Sequence, residues 1–226
     1  MTGAPSRVQE LEANLDGVRR RLDATGREVV LIAVSKTWPV SDVVALKALG
    51  VTDFGENRDA DARAKAAEVD GVRWHFVGAV QTNKARSVAA YADLVHSLDR
   101  VALVEALANG ARRAGRQVQV LVQVSLDGDL ARGGARIEDV PAVAAAAAQA
   151  DGLCLAGVMA VAPLDADPAA AFRRLGQVAA AVRAEHPEAT AISAGMSGDL
   201  EAAVAAGATH VRVGTALFGH RPPVLR

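Results

Sequence analysis

Candidate strands, mostly short apolar runs, alternate along this chain with stretches of helical periodicity. The candidate strands fall near residues 29–35, 52–55, 72–77, 93–97, 118–125, 153–160, 190–194 and 209–213. Between them, residues 41–49, 57–69, 81–91, 100–114, 137–150, 168–185 and 198–206 have helical spacing or composition. One more helix is predicted at the start, where Val8, Leu11, Leu15, Val18 and Leu22 recur at three- and four-residue steps. The first strand, Val29 to Val34, is short, rich in Val and Ile and ended by Pro39, and reads as a strand buried on both faces. Strand and helix signals alternating this regularly imply βαβ units and a parallel sheet, the α/β class. Nothing after "VRVGTALFGHRPP" is long enough for a closing helix, so the N-terminal helix can close the helical ring instead. The pattern therefore predicts a single (β/α)8 TIM-type barrel over residues 1–226, in preference to an open doubly wound sheet. A chain of 226 residues falls within the ~200–400 usual for that barrel, and no Gly/Ser/Pro-rich linker divides it.

Composition narrows the classes of function. At 51% hydrophobic the chain can bury a large core. A net charge of −1 and 3% aromatic residues supply neither a basic footprint nor a stacking array, so neither nucleic acid nor an anionic membrane is expected as a partner. Cys154 is the sole cysteine and sits in the run "LCLAGVMAV", where a small buried hydrophobe is expected rather than a reactive thiol. The N-terminus shows no apolar signal region, and "VPAVAAAAAQA" is too short to span a bilayer, so the expected location is the cytoplasm. The five histidines are scattered without ligand spacing, and no metal site is expected.

A barrel of this kind carries its chemistry at the C-terminal strand ends, with a phosphate site commonly after strands 7 and 8. Those positions read "SAGMSGDLEAA" and "RVGTALFG". Ser197, Gly195, Gly198, Gly214 and Thr215 offer hydroxyls and closely approachable backbone, which suit a phosphate dianion. Each loop taken alone also reads as a helix cap or a turn.

Lys36 ends the first strand and would project into the same mouth. There it is either a Schiff-base amine or a lysine reaching solvent along its stem. Arg212 lies inside the last strand and needs an acceptor, either a ligand heteroatom or a carboxylate such as Glu56. His75, inside an apolar strand, reads first as a satisfied core histidine. On these residues alone, a barrel enzyme acting on phosphate esters through Lys36 also stands.

The segments "AVSKTWP", "FGEN", "WHFVGAVQTNK", "LAGVMAV" and "SAGMSGDLEAAVAAGATHVRVGTALFG" together resemble the pyridoxal phosphate homeostasis proteins. These are single-domain relatives of the N-terminal barrel of alanine racemase. The likeness runs from the N-terminal helix to Gly219. It implies that Lys36 holds pyridoxal 5′-phosphate as a Schiff base, that Ser197, Gly214 and Thr215 cradle the phosphate, and that Arg212 faces the pyridine nitrogen. Asn57, His75 and Met196 match family positions lining the site. A cation beside the ring nitrogen disfavours its protonation and weakens the ring as an electron sink.

The chain departs from the family pattern at Arg58, where an aromatic residue is common, and at Arg132-Gly133, where Lys-Ser is usual. A milder departure is "QTNK" for "QSNK". The resemblance implies a carrier in vitamin B6 and amino-acid homeostasis, acting as a monomer, with pyridoxal-phosphate-dependent apoenzymes as possible recipients. The alternative is an amino-acid racemase or related enzyme. Two-base racemisation needs an acid/base on each face of the substrate. Tyr91, the sole tyrosine, falls at a helix end after strand 3, where a core or surface role is expected.

Overall fold

Eight parallel strands close on themselves in the computed structural model, which describes residues 5–164 and 166–220. They are β1 (Val30–Val34), β2 (Asp53–Glu56), β3 (Arg73–Phe76), β4 (Leu94–Leu98), β5 (Val118–Gln123), β6 (Leu153–Met159), β7 (Ala191–Ser193) and β8 (His210–Val213). Each pairs with the next, and β8 returns to β1 in a register running from Val30↔His210 to Ala33↔Val213. The predicted TIM-type barrel is the fold.

Nine helices accompany the strands among the described residues. α1 (Arg7–Asp23) precedes the barrel. α2 (Val40–Ala48), α3 (Asp59–Glu68), α4 (Ala85–Tyr91), α5 (Val101–Arg113), α6 (Val140–Gln149), α7 (Pro168–Glu185) and α8 (Leu200–Ala205) follow β1 to β7 in turn. The predicted helices 81–91 and 137–150 each open instead with a 3₁₀ turn, Thr82–Lys84 and Ile137–Asp139. After β8 comes a four-residue helix, α9 (Thr215–Phe218), too short to show periodicity in the sequence.

α1 starts at a capping box, in which the Ser6 hydroxyl accepts from the Gln9 N–H and the Gln9 side chain accepts from the Ser6 N–H. It buries Leu11, Leu15, Val18 and Leu22. Val8, grouped with them by spacing, is instead 51% exposed. Arg7 on α1 bonds Asp42 of α2 at 2.6 Å, and Arg21 bonds Glu201 of α8 at 2.7 Å. Asn14 donates to the Leu217 carbonyl of α9 at 2.9 Å. α1 thus fills the eighth place in the ring, as the pattern predicted.

Outward strand residues such as Ala33, Phe54, Trp74, Val95, Val120, Val158 and Val211 pack against the helices. The interior differs from the branched aliphatic filling usual in such barrels. Its apolar part is a small cluster of Leu94, Leu121 and Met159, with Ile32 in register beside Asp53 and Arg212. The rest carries Asp53, His75, His96, Ser193 and Arg212, all buried. Cys154, expected to be buried, is half-exposed in a groove beside Arg73 and Gln119 at the strands' N-terminal end. No described helix is long and apolar enough to cross a membrane.

Candidate functional site

A cavity of about 630 Å³ opens at the C-terminal ends of the strands. Seven of the eight expected site residues line it: Lys36, Asn57, Met196, Ser197, Arg212, Gly214 and Thr215. Arg212 lies on β8 and the others follow the ends of β1, β2, β7 and β8, so closure of the barrel is what brings them together. His75 is the exception and lies in the barrel interior, 1% exposed.

The two predicted anion-binding loops meet. In the β7–α8 loop Gly195 has φ 87°, and a Cβ there would lie 2.6 Å from the Cβ of Ala203, so only glycine fits the bend. The Met196 N–H donates to Asp199 Oδ1 at 2.6 Å and rounds the loop over. Ser197 Oγ accepts from the N–H of Ala216 at 3.2 Å, tying this loop to the first turn of α9. Gly214 and Thr215 open that turn. The corner presents two hydroxyls and approachable backbone, the donor set that suits a phosphate.

Arg212 crosses the floor of the cavity, 5% exposed. It donates to Ser193 Oγ at 2.5 Å and to the carbonyl of Ala160 at 2.9 Å. Neither partner is charged, and burial lowers its guanidinium from the usual 12.5 to about 10 against a weaker opposing pull from Asp199. Glu56, the carboxylate considered for it in the sequence, is engaged elsewhere. Its Oε1 accepts from Ser35 Oγ at 2.7 Å and from the ammonium of Lys65. A buried cation without a contacting carboxylate is costly unless a ligand's acceptors or negative charge complete it.

Below Arg212 a hydrogen-bonded chain runs through the barrel. Ser193 Oγ meets His96 Nδ1 at 3.0 Å, His96 Nε2 meets His75 Nδ1 at 3.0 Å, and His75 Nε2 meets Asp53 Oδ1 at 2.8 Å. One run of donors, from Arg212 through Ser193, His96 and His75 to Asp53, satisfies every atom in it. Burial, then the nearby His75 and Arg212, hold the His96 imidazole well below its usual range. Burial pushes the Asp53 carboxyl up, but hydrogen bonds from His75 and Thr52 outweigh it, so it lies below the usual carboxylate range. His75 is therefore linked to the cavity through His96, Ser193 and Arg212 rather than lining it.

Lys36 stands in a tight turn after β1. The Trp38 N–H donates to the Ser35 carbonyl at 3.0 Å, which closes the turn around Lys36 and Thr37. Thr37 has φ 71°, the left-handed value that a type II turn demands at its third position. It is the one non-glycine among the described residues with positive φ, and a β-branched residue there carries strain of roughly 1–3 kcal/mol. Lys36 itself is exposed, with its side chain in the cavity. Asn57 Oδ1, in the cavity wall, is buried with no partner.

The departures noted in the sequence sit off the cavity. Arg58 is exposed at the start of α3. Arg132 bonds Asp127 at 2.8 Å and the Ala162 carbonyl at 2.9 Å. Neither Arg132 nor Gly133 is among the residues lining the cavity. Tyr91 ends α4 with a buried, unpartnered hydroxyl, and it too is absent from the lining. No cluster of three His, Cys, Asp or Glu among the described residues could hold a metal.

Sequence reasoning missed Asp53, His96, Ser193 and Lys65. For the first three a signal was present: each is a polar residue of the same two-residue parity as the inward Leu94 and Ala191 or their paired neighbours. A barrel with this mouth, an amine at the end of β1 and an anion corner after β7 and β8 belongs to a recognisable class. A family model described as "Alanine racemase, N-terminal domain" matches residues 7–222.

More specifically, the pyridoxal phosphate homeostasis protein of Mycobacterium tuberculosis is 43% identical over 249 aligned residues, covering 98% of this chain and 96% of that protein. PipY of Synechococcus elongatus, solved without pyridoxal phosphate, superposes with a TM-score of 0.85 at 36% identity, over 92% of this chain and 100% of PipY. The same protein solved with pyridoxal phosphate bound gives 0.81 at 35% identity, with the same coverage. Alanine racemase from Corynebacterium glutamicum shares the fold at 17% identity and a TM-score of 0.74, covering 97% of this chain and 62% of the racemase. The chain belongs to the pyridoxal phosphate homeostasis protein family, within the alanine racemase N-terminal domain group.

Proposed function

We propose that this chain binds pyridoxal 5′-phosphate in the mouth of the barrel, with Lys36 joined to the aldehyde carbon as a Schiff base. The observation that carries the reading is the convergence of an amine, an anion corner and a buried unpaired cation on one cavity of about 630 Å³. That volume is in the ~300–1,000 Å³ range of small-molecule pockets. Support also comes from PipY, 35% identical, whose structure was solved with pyridoxal phosphate bound. Ser197, Gly214 and Thr215 would hold the phosphate. Asn57, with its orphaned oxygen, and Met196 would line the ring. Arg212 would face the pyridine nitrogen. The bound cofactor supplies an electron-accepting ring. A donor-only guanidinium at its nitrogen opposes protonation there and keeps that sink weak.

On this reading the protein is a carrier in intracellular vitamin B6 and amino-acid homeostasis rather than an efficient catalyst. It acts as a monomer whose open cavity gives pyridoxal-phosphate-dependent apoenzymes access to the cofactor. Tyr91, the sole tyrosine, sits on α4 off the cavity wall and so offers no second acid/base opposite Lys36, which favours the carrier over a two-base racemase.

Equilibrium dialysis tests the binding reading with pyridoxal 5′-phosphate, pyridoxal and inorganic phosphate. Retention of the first at least tenfold tighter than pyridoxal, with Ser197→Ala eroding the difference, is expected. Equal affinity for pyridoxal and its phosphate would remove the anion corner from the account. Exchange of the α-hydrogen of alanine at enzymatic rates in deuterated water would favour the racemase.

A further inference from the structure

We propose that Lys65 and Glu56 form a buried clamp that positions the Lys36 turn for reaction with a carbonyl ligand, a role that rests on the binding reading above. Lys65 lies on α3, yet it is only 5% exposed, an unusual place for an ammonium. Its Nζ donates to the Ser35 carbonyl at 2.8 Å, to the carboxylate of Glu56 and, more loosely, to Ser35 Oγ at 3.4 Å. All three contacts fall on Ser35 or on the residue Ser35 itself bonds, and Ser35 is the residue before Lys36. Ser35 in turn donates its N–H to the Gly55 carbonyl at 2.9 Å and its hydroxyl to Glu56 at 2.7 Å. Every polar atom of Ser35 is therefore held.

The far end of the turn is held as well. The Trp38 ring stacks on Phe218, with centroids 5.9 Å apart, and the Arg7 guanidinium covers it at 4.5 Å. Arg7 is itself fixed by Asp42 at 2.6 Å. With residues 35 and 38 fixed, the two between them, Lys36 and Thr37, are exposed but not free. Thr37 remains at φ 71° because its neighbours over-determine it.

Stability alone does not account for the pair. A buried ion pair is seldom more stabilising than apolar residues of the same size. Here one carboxylate oxygen, Glu56 Oε2, is left buried without a partner. Lys65 never reaches the cavity lining, so it acts through Ser35 as a positioning residue. The reaction it serves is addition of the Lys36 nitrogen to an aldehyde carbon with loss of water. Fixing the backbone from which the lysine stem departs raises the fraction of encounters with workable geometry.

The test separates covalent capture from simple binding. Capture is followed as borohydride-fixed pyridoxyl mass on Lys36 after timed exposure to pyridoxal 5′-phosphate. Non-covalent affinity is measured with 4′-deoxypyridoxine 5′-phosphate, which lacks the aldehyde. Lys65→Met leaves Glu56 unpaired and risks unfolding, so the decisive variant is Lys65→Met with Glu56→Leu, in which both charges are gone.

Capture in the double variant is expected to slow at least tenfold, with affinity for the deoxy analogue within threefold of wild type. Adding Thr37→Gly, which tolerates positive φ without the clamp, is expected to recover part of the rate. Wild-type capture by the double variant would overturn the proposal and leave Lys65 a packing residue. Parallel loss of capture and analogue binding would overturn it too, since the whole cavity would then have changed. If wild-type protein takes up neither compound, the binding reading itself falls, and the clamp falls with it.

Discussion

His210, at the N-terminal end of β8, is expected to make the fold sensitive to mild acid. Burial, then His75 and Arg73, hold its imidazole down to about 4 from the usual 6.5, against an opposing pull from Asp53. The unfolded chain takes up this proton near pH 6.5, the folded chain near 4. Between those values the unfolded state binds more protons, so stability falls as pH drops below 6.5. At about 1.4 kcal/mol per pH unit, the full difference amounts to about 3 kcal/mol, and about 2 kcal/mol of it is already lost between pH 7 and pH 5.

His96, also lowered, acts in the same direction. Asp53, itself lowered, adds stability that disappears only as pH falls below its usual 3.8. Urea denaturation at pH 7, 6 and 5 measures this in wild type and in His210→Asn. The variant keeps a polar group near Thr209 Oγ1, which lies 2.7 Å from His210 Nδ1, and removes the titration. It is expected to lose about 2 kcal/mol less than wild type between pH 7 and pH 5. An identical loss in both proteins, or a wild type equally stable at both pH values, would refute the reasoning.

Gly157→Ala is expected to prevent folding. Its Cβ would lie 1.9 Å from the Ala191 carbonyl oxygen of the neighbouring strand, at a φ of 152°, and circular dichroism would show no cooperative melt. Arg7→Ala removes the bond to Asp42, a bond to the Phe218 carbonyl at 2.9 Å and the contact over Trp38. A cost of about 1–3 kcal/mol is expected, with faster hydrogen exchange in α1 than in α5. Leu121→Ala, in the small apolar cluster of the barrel interior, should cost about 2–5 kcal/mol in chemical denaturation.

Strands such as "VLIAV" and "VQVLVQ" were legible because a parallel barrel buries both of their faces, so they appear as apolar runs, whereas "DFGE" and "RWHF" were placed mainly by the alternation with helices. The mouth was legible because this architecture fixes where strand ends converge, which singled out Lys36, Ser197, Gly214 and Thr215 before any geometry was known. The interior polar chain was not. Asp53, His75, His96, Ser193 and Arg212 lie on five different strands, and only closure of the barrel places them in contact.

Read one at a time, His75 looks like an isolated core histidine. Lys65 was hidden for another reason: in "DADARAKAAE" it is one charge among several on a weakly amphipathic helix, and nothing local says that it points inward. Thr37 was equally silent, since a threonine in "SKTWP" gives no sign of the left-handed backbone that two fixed neighbours impose. Val8 shows the converse error, an apolar residue on the right spacing that ends up beyond the contact face.

On the proposed reading Lys36 is the amine that holds the cofactor. The visible absorption spectrum of the protein, recorded with pyridoxal 5′-phosphate before and after borohydride and followed by peptide mass mapping, tests it most directly. A yellow band that borohydride abolishes is expected, leaving a reduced pyridoxyl mass on the peptide carrying Lys36 and none in Lys36→Ala. A protein that stays colourless with the cofactor, or a label distributed over other lysines with Lys36 unmodified, would contradict it.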